Sequence, residues 1–174
     1  MARRLSTAEA HEVLADETVA HLACVVNDEP YVVPINYVFE DGSIYSHSLP
    51  GLKIEALRLH SRLCLQVEQI KNNIQWRSVQ VFGDFEEIES QGERLKVLGK
   101  LSARFPLLTP VESLQGPSAE NCIVFRIVID RLGGVTEEDF EEVGYANLSR
   151  AKLMDWLFDC DQFQVRSAGT RRET

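Results

Sequence analysis

The sequence predicts a small, mainly β protein: six strands forming an antiparallel β-barrel with peripheral helices. Three observations lead there. Six short runs of β-branched, aromatic or alternating residues are present, tight turn signals separate the early ones, and the regular strand-helix alternation that a parallel sheet requires is missing. The chain has 174 residues, 44% hydrophobic and 26% charged. That length buries roughly two thirds of the unfolded surface, so a core is expected without a disulfide or metal staple.

Taken in order, Ser6-Thr7-Ala8-Glu9 reads as a capping box that opens a short helix ending near Asp16, with Ala10, Val13 and Leu14 on one face. Val19 to Val26 and Tyr31 to Phe39 are strand-like, joined by turn residues at Asn27-Asp28-Glu29. A second turn, Glu40-Asp41-Gly42-Ser43, leads to a third strand, Ile44 to His47. After Pro50-Gly51, Leu52 to Ser61 suits an amphipathic helix with Ile54, Ala56 and Leu57 inward. Leu63 to Val67 is a fourth strand, followed by a polar loop. The fifth strand, Trp76 to Ile88, places Val79, Val81 and Phe85 on one parity, and Gly83 within it predicts a bulge or bend. A helix from Gly92 to Phe105 carries the stripe Leu95, Leu98 and Leu101 and is stopped by Pro106 and Pro110. Residues 107–120 read as a loop. The sixth strand, Cys122 to Leu132, is expected to end at Gly133-Gly134.

Beyond that point, Thr136 to Glu142 is acidic and expected to be solvated, Leu148 to Phe158 suits a terminal helix, and residues from Arg166 onward read as a disordered tail. The expected organisation is therefore a barrel domain over residues 1–135, an acidic and helical extension over 136–165, and a tail over 166–174.

Composition narrows the chemistry. A formal net charge of −9 opposes non-specific binding to nucleic acid or to an anionic bilayer. Cys24, Cys64, Cys122 and Cys160 are scattered and form no C-x-x-C pair, which fits reduced thiols and neither a zinc site nor a secreted disulfide framework. The first residues, Met1-Ala2-Arg3-Arg4, lead into a polar helical stretch rather than an apolar signal core, and nothing approaches the ~18 apolar residues of a membrane span. A cytoplasmic protein is expected.

Against this acidic background, His47 to Arg77 carries five basic residues (Lys53, Arg58, Arg62, Lys71, Arg77) and two acidic ones (Glu55, Glu68). An anion site belongs there if anywhere. Lys53 falls in the first turn of a helix, where the macrodipole disfavours a cation unless an anion shares the site. The stretch His47-Ser48-Leu49-Pro50-Gly51-Leu52-Lys53 supplies an imidazole, a hydroxyl and an ammonium around one loop, which are donors suited to a phosphate. Equally, Lys53 read alone is a solvent-facing lysine and His47 a half-buried strand-end histidine. Trp76-Arg77-Ser78-Val79 joins a flat ring, a guanidinium and a hydroxyl on one strand, a set that serves either an aromatic ligand or ordinary packing.

Together, Glu29-Pro30-Tyr31-Val32-Val33-Pro34-Ile35-Asn36-Tyr37-Val38, Asp41-Gly42, Ile44-Tyr45-Ser46-His47-Ser48, Gly51-x-Lys53 and Trp76-x-Ser78-Val79-x-Val81-x-Gly83 resemble the pyridoxamine 5′-phosphate oxidase-like flavin-binding proteins. The branch most similar is the one that includes nitroimidazole-resistance proteins. The resemblance implies a split β-barrel that forms a homodimer, with FMN in a groove at the subunit interface. It implies that Pro34, Ile35, Asn36 and Tyr37 line the flavin ring, that His47, Ser48 and Lys53 approach the ribityl phosphate, and that Trp76, Arg77, Ser78 and Val79 complete the site. No metal is implied. Members that oxidise pyridoxamine phosphate carry an Arg-Leu-Ala-Pro ending where this sequence has Arg171-Arg172-Glu173-Thr174, so that reaction is not expected. The expected activity is an FMN-dependent oxidoreductase whose reduced flavin passes electrons to a small organic acceptor, a nitroaromatic among the candidates, with His47 as proton donor. The alternatives are a non-catalytic flavin-storage dimer and, ranked lower, a haem-binding split barrel using His21, His47 or His60.

Overall fold

The computed structural model describes residues 2–73, 75–105 and 122–137. They form eight strands and three helices: β1 (Ala2–Arg4), α1 (Thr7–Asp16), β2 (Val19–Val26), β3 (Glu29–Asn36), β4 (Val38–Glu40), β5 (Ser43–Ser48), α2 (Leu52–Leu59), β6 (Arg62–Asn72), β7 (Gln75–Glu87), α3 (Gln91–Arg104) and β8 (Ile123–Glu137). Every pairing is antiparallel, in the order β3-β2-β6-β7-β8-β5-β4, with β1 added to the far end of β8. The architecture is the expected split barrel, with eight strands instead of six.

The local signals account for most of this. Ser6 caps α1 with its side chain accepting from the Glu9 N–H, while the Glu9 carboxylate accepts from the Ser6 N–H at 2.8 Å. Asn27 and Asp28 take positive φ (50° and 63°), as do Asp41 and Gly42 (50° and 72°), so both early hairpins close through two-residue turns that follow the strand twist. Gly83 sits at a register shift in the β7–β8 ladder, where a Cβ would run into the Val128 carbonyl oxygen.

Five expectations are corrected. The run Tyr31 to Phe39 is two strands, because Tyr37 leaves the ladder: its N–H donates to the Thr18 carbonyl at 3.1 Å and its hydroxyl to the Leu14 carbonyl at 2.9 Å. The chain there passes from β2 to β5. The residues after Val67 extend β6 to Asn72; none of them is buried, so the buried alternation that marks a strand stops at Val67. Gly133-Gly134 does not end the last strand. Gly134 gives room for Leu5, whose N–H donates to the Gly134 carbonyl at 2.8 Å, and β8 runs on through Glu137. Thr136 is consequently buried, its hydroxyl donating to the Trp76 carbonyl at 2.9 Å, instead of solvated. In α3 the buried face is Val97 and Leu101, and Leu95 is 63% exposed. The loop at 107–120 and the expected features from residue 138 onward lie outside the described residues.

The main core fills the barrel, with α1 contributing Ala10, Val13 and Leu14 and α2 contributing Ile54, Ala56 and Leu57. Burying one such Leu or Ile side chain contributes roughly 1.5–3 kcal/mol. A second cluster seats α3 against the outside of β8, through Val97, Leu101, Ile88 and Val124. The barrel is not closed by a ladder. Across the seam between β3 and β5, the Ser46 hydroxyl donates to the Asn36 carbonyl at 2.7 Å.

Candidate functional site

The seam brings together much of what the sequence singled out. Asn36 ends β3, and its link to Ser46 puts it beside His47 and Ser48 at the end of β5. The chain then turns through Leu49-Pro50 into α2, whose N-cap is Gly51 and whose first turn holds Lys53. His47 lies opposite Val124 in the β5–β8 ladder, on the face shared with Tyr45, while the Ser48 hydroxyl donates to the Leu49 carbonyl at 2.8 Å.

Lys53 is the informative residue. It is half-buried, and burial pushes its ammonium below the ordinary 10.5; among the described residues its electrostatic neighbour is the Cys24 thiol, which burial pushes up. Among the described residues no carboxylate pairs with Lys53. The other cations of the basic stretch are placed differently. Arg58 donates to Glu87, and Arg62 bridges Asp84 at 3.1 Å and Asp130 at 2.6 Å, so the local excess of positive charge in the sequence is not a patch in space. A half-buried ammonium with no carboxylate partner among the described residues fits an anionic group of a ligand. Cys24 lies opposite Tyr31, three residues from Pro34 along β3, so roughly 10 Å of strand separates the neighbourhood of Lys53 from Pro34. The Lys53 ammonium, with the Ser48 hydroxyl at the end of the strand before its helix, is a donor set that suits the phosphate of a flavin nucleotide.

The ring-lining residues divide by parity. Pro34 is exposed on the outside of β3, and Asn36 shares its parity at the strand end. Ile35 is 5% exposed and Tyr37 and Val79 are fully buried, so these three offer a ligand only their backbone. Burial also raises the Tyr37 phenol well above its usual value.

Trp76, Arg77, Ser78 and Val79 are not at the seam. They start β7, separated from β3 by β2 and β6, roughly 14 Å across the sheet. Trp76 Nε1 donates to Glu137 at 3.2 Å, and Trp76 and Arg77 help line a hollow of about 240 Å³ with Lys71, Thr136 and Glu137. A larger hollow, about 470 Å³, lies between α3 and β5 beside Tyr45, Lys96 and Lys100; none of the expected site residues lines it.

Between these two groups runs the outer wall of β3, β2, β6, β7 and β8. The ladders align Pro34, His21, Gln66, Gln80 and Gly133 in one row, and Val32, Ala23, Cys64, Phe82 and Arg131 in the next. Val19, Val25, Val32, Ile70 and Val135 are exposed on this wall. Of the polar groups here, the sequence offers His21 only as a haem ligand and does not single out Gln66 and Glu68 as site residues. The available signal was parity: His21 alternates against the buried Ala20, Leu22 and Cys24.

The model of the family described as pyridoxamine 5′-phosphate oxidase matches residues 6–132. The chain belongs to this family. Among solved structures, an FAD-binding protein from Mesorhizobium loti is 32% identical, with a TM-score of 0.68 over 79% of this chain and 99% of the other. A candidate 5-nitroimidazole antibiotic resistance protein from Bacteroides thetaiotaomicron shares the fold at 19% identity, with a TM-score of 0.63 over 78% of this chain and 89% of the other. An uncharacterized protein of Rhizobium meliloti (strain 1021) is 38% identical over 86 residues, which span 49% of this chain and 57% of that relative. Among the described residues no helix is long and apolar enough to cross a membrane.

Proposed function

We propose that this family member binds FMN and acts as a flavin-dependent oxidoreductase, passing electrons to a small organic acceptor such as a nitroaromatic compound. The observation that carries the reading is Lys53, a half-buried ammonium with no carboxylate partner among the described residues, at the start of a helix beside Ser48 and the β3 seam. The family assignment and the FAD-binding relative favour a flavin over other anionic ligands.

A bound flavin supplies hydride or single-electron transfer. Lys53 and Ser48 hold its phosphate, the charge-assisted contact replacing the hydration that Lys53 has lost. The exposed surface of Pro34 and the backbone of Ile35 to Tyr37 give the ring a flat seat, and Asn36 supplies polar contacts at its edge. His47 is the proton donor for the acceptor. A second copy of the chain docks on the outer wall of β2, β3, β6 and β7, where Val19, Val25, Val32 and Ile70 are exposed, and brings Trp76, Arg77 and Ser78 towards the other protomer's seam.

The test is an absorbance spectrum of the purified protein, followed by titration with FMN and FAD and anaerobic addition of NADH or NADPH, with the mass measured across a dilution series. Near-stoichiometric FMN that bleaches with a nicotinamide donor, in a dimer that releases flavin on dissociation, supports the proposal. FMN bound without reduction favours storage, a Soret band favours haem, tighter FAD than FMN reassigns the cofactor, and no flavin binding overturns the reading.

A further inference from the structure

Pro34 stands directly opposite His21 in the β2–β3 ladder, and His21 stands opposite Gln66 on β6. Opposite side chains on one face of an antiparallel pair have Cβ atoms about 5 Å apart. A ring seated on Pro34 therefore meets the His21 imidazole. The His21 side chain is 47% exposed, with Nδ1 3.8 Å from a Glu68 carboxylate oxygen, and Gln66 Nε2 donates to Ser78 Oγ at 3.2 Å. These four polar side chains form a band from β2 across β6 to β7, bordered by the exposed Val19, Val32, Ile70 and Val135.

The fold does not demand this band. An exposed pair such as His21 and Glu68 contributes little to stability. What the pair does is orient a ring: with Nδ1–H turned to the carboxylate, Nε2 faces another partner, and it donates to that partner when the imidazole carries both protons. The other three imidazoles are committed elsewhere. His11 packs its ring on Phe39 at 5.2 Å between centroids, His47 is on β5, and His60 is the C-cap of α2.

We infer that His21, oriented by Glu68, is a cofactor-contacting residue whose Nε2 hydrogen-bonds the polar edge of the flavin ring and favours its reduced form. The inference rests on the flavin site proposed above. Reduction places added electron density on the heteroatoms of the ring, so a donor held at that edge stabilises the reduced ring more than the oxidised one. Glu68 is the charged group facing His21 from β6; the neighbouring Pro34 and Asn36 on β3, and Ser78 and Gln80 on β7, are uncharged.

The experiment compares FMN-loaded wild type with His21→Leu, His21→Ala and His21→Gln. It measures the dissociation constant for FMN and the two-electron potential of the bound flavin by equilibration with a reference dye. The expected result is at least a tenfold loss of preference for reduced over oxidised flavin in the Leu and Ala variants, equivalent to a fall of about 30 mV, with the Gln variant retaining most of the wild-type potential through its amide donor. FMN-loaded Leu and Ala variants at the wild-type potential overturn this inference and leave the proposed function standing. Wild-type protein that binds no flavin overturns both.

Discussion

Replacing Lys53 by Met separates the phosphate contact proposed for this side chain from the cost of burying its charge. Met keeps most of the aliphatic stem and removes the ammonium. If Lys53 holds a phosphate, the variant loses a charge-assisted contact of about 1.5–3 kcal/mol, which weakens FMN binding roughly 10- to 150-fold. Stability of the ligand-free protein moves the other way. Burial holds the folded pKa of Lys53 below the ordinary 10.5, so the fold favours the neutral amine, and the charged form carries a desolvation cost at neutral pH. The sign follows by linkage: wild-type stability rises as pH climbs through the depressed folded value towards 10.5, and Lys53→Met lacks that rise while melting no lower than wild type at pH 7. Fluorescence titration with FMN and with riboflavin, which lacks the phosphate, decides the matter. The variant should lose affinity for FMN and keep its affinity for riboflavin. Equal losses for both ligands, or unchanged FMN affinity in a folded variant, would refute the phosphate role.

Three further outcomes concern the scaffold. Arg104 donates from one guanidinium nitrogen to the carbonyls of Asp16 and Glu17, both at 3.0 Å, and to that of Ala15, so α3 caps the C-terminal end of α1. Arg104→Ala should cost about 1.5–3 kcal/mol and lower the melting temperature by roughly 3–12 °C; an unchanged melt would show that water replaces the cap. Gly134→Ala puts a methyl 2.9 Å from the Ser78 carbonyl oxygen and 2.8 Å from Leu5 Cδ1, and should destabilise by about 1–3 kcal/mol in a urea titration. The Arg3 guanidinium, with the Ser6 groups, holds the Glu9 carboxyl down to about 2. Because the folded value lies below the ordinary 4.5, the stabilisation is complete above 4.5 and lost as pH falls through about 2. Melting curves between pH 5 and 2 should therefore fall more steeply for wild type than for Glu9→Gln.

Local chemistry made part of the fold legible. The capping box at Ser6, the turns at Asn27-Asp28 and Asp41-Gly42, and the bend at Gly83 each follow from a steric or hydrogen-bonding requirement contained within a few residues. The changes of partner were not legible, because they depend on residues distant in sequence. Nothing near Tyr37 announces that its hydroxyl meets Leu14, and nothing near Gly134 announces Leu5. The same limit applies to the candidate site. His47, Ser48 and Lys53 could be grouped because one short loop carries them, whereas His21, Gln66, Glu68 and Ser78 become neighbours only through the register of β2, β6 and β7. Charge counting misled for a related reason: Arg58 and Arg62 are neutralised by carboxylates from β7 and β8 that lie outside the counted stretch.

The open seam leaves β3 as a sheet edge, and an uncovered edge is a template on which foreign strands can polymerise. Pro30 and Pro34 lie four residues apart on one parity of that strand, opposite Val25 and His21. Proline has no amide hydrogen, so it sits in a ladder only where its nitrogen points away from the neighbouring strand. The free side of β3 is thereby stripped of two donors along its length and cannot zip onto an incoming strand in register. Pro34 thus makes this edge a poor template for strand pairing, at the same position where the flavin ring is proposed to sit.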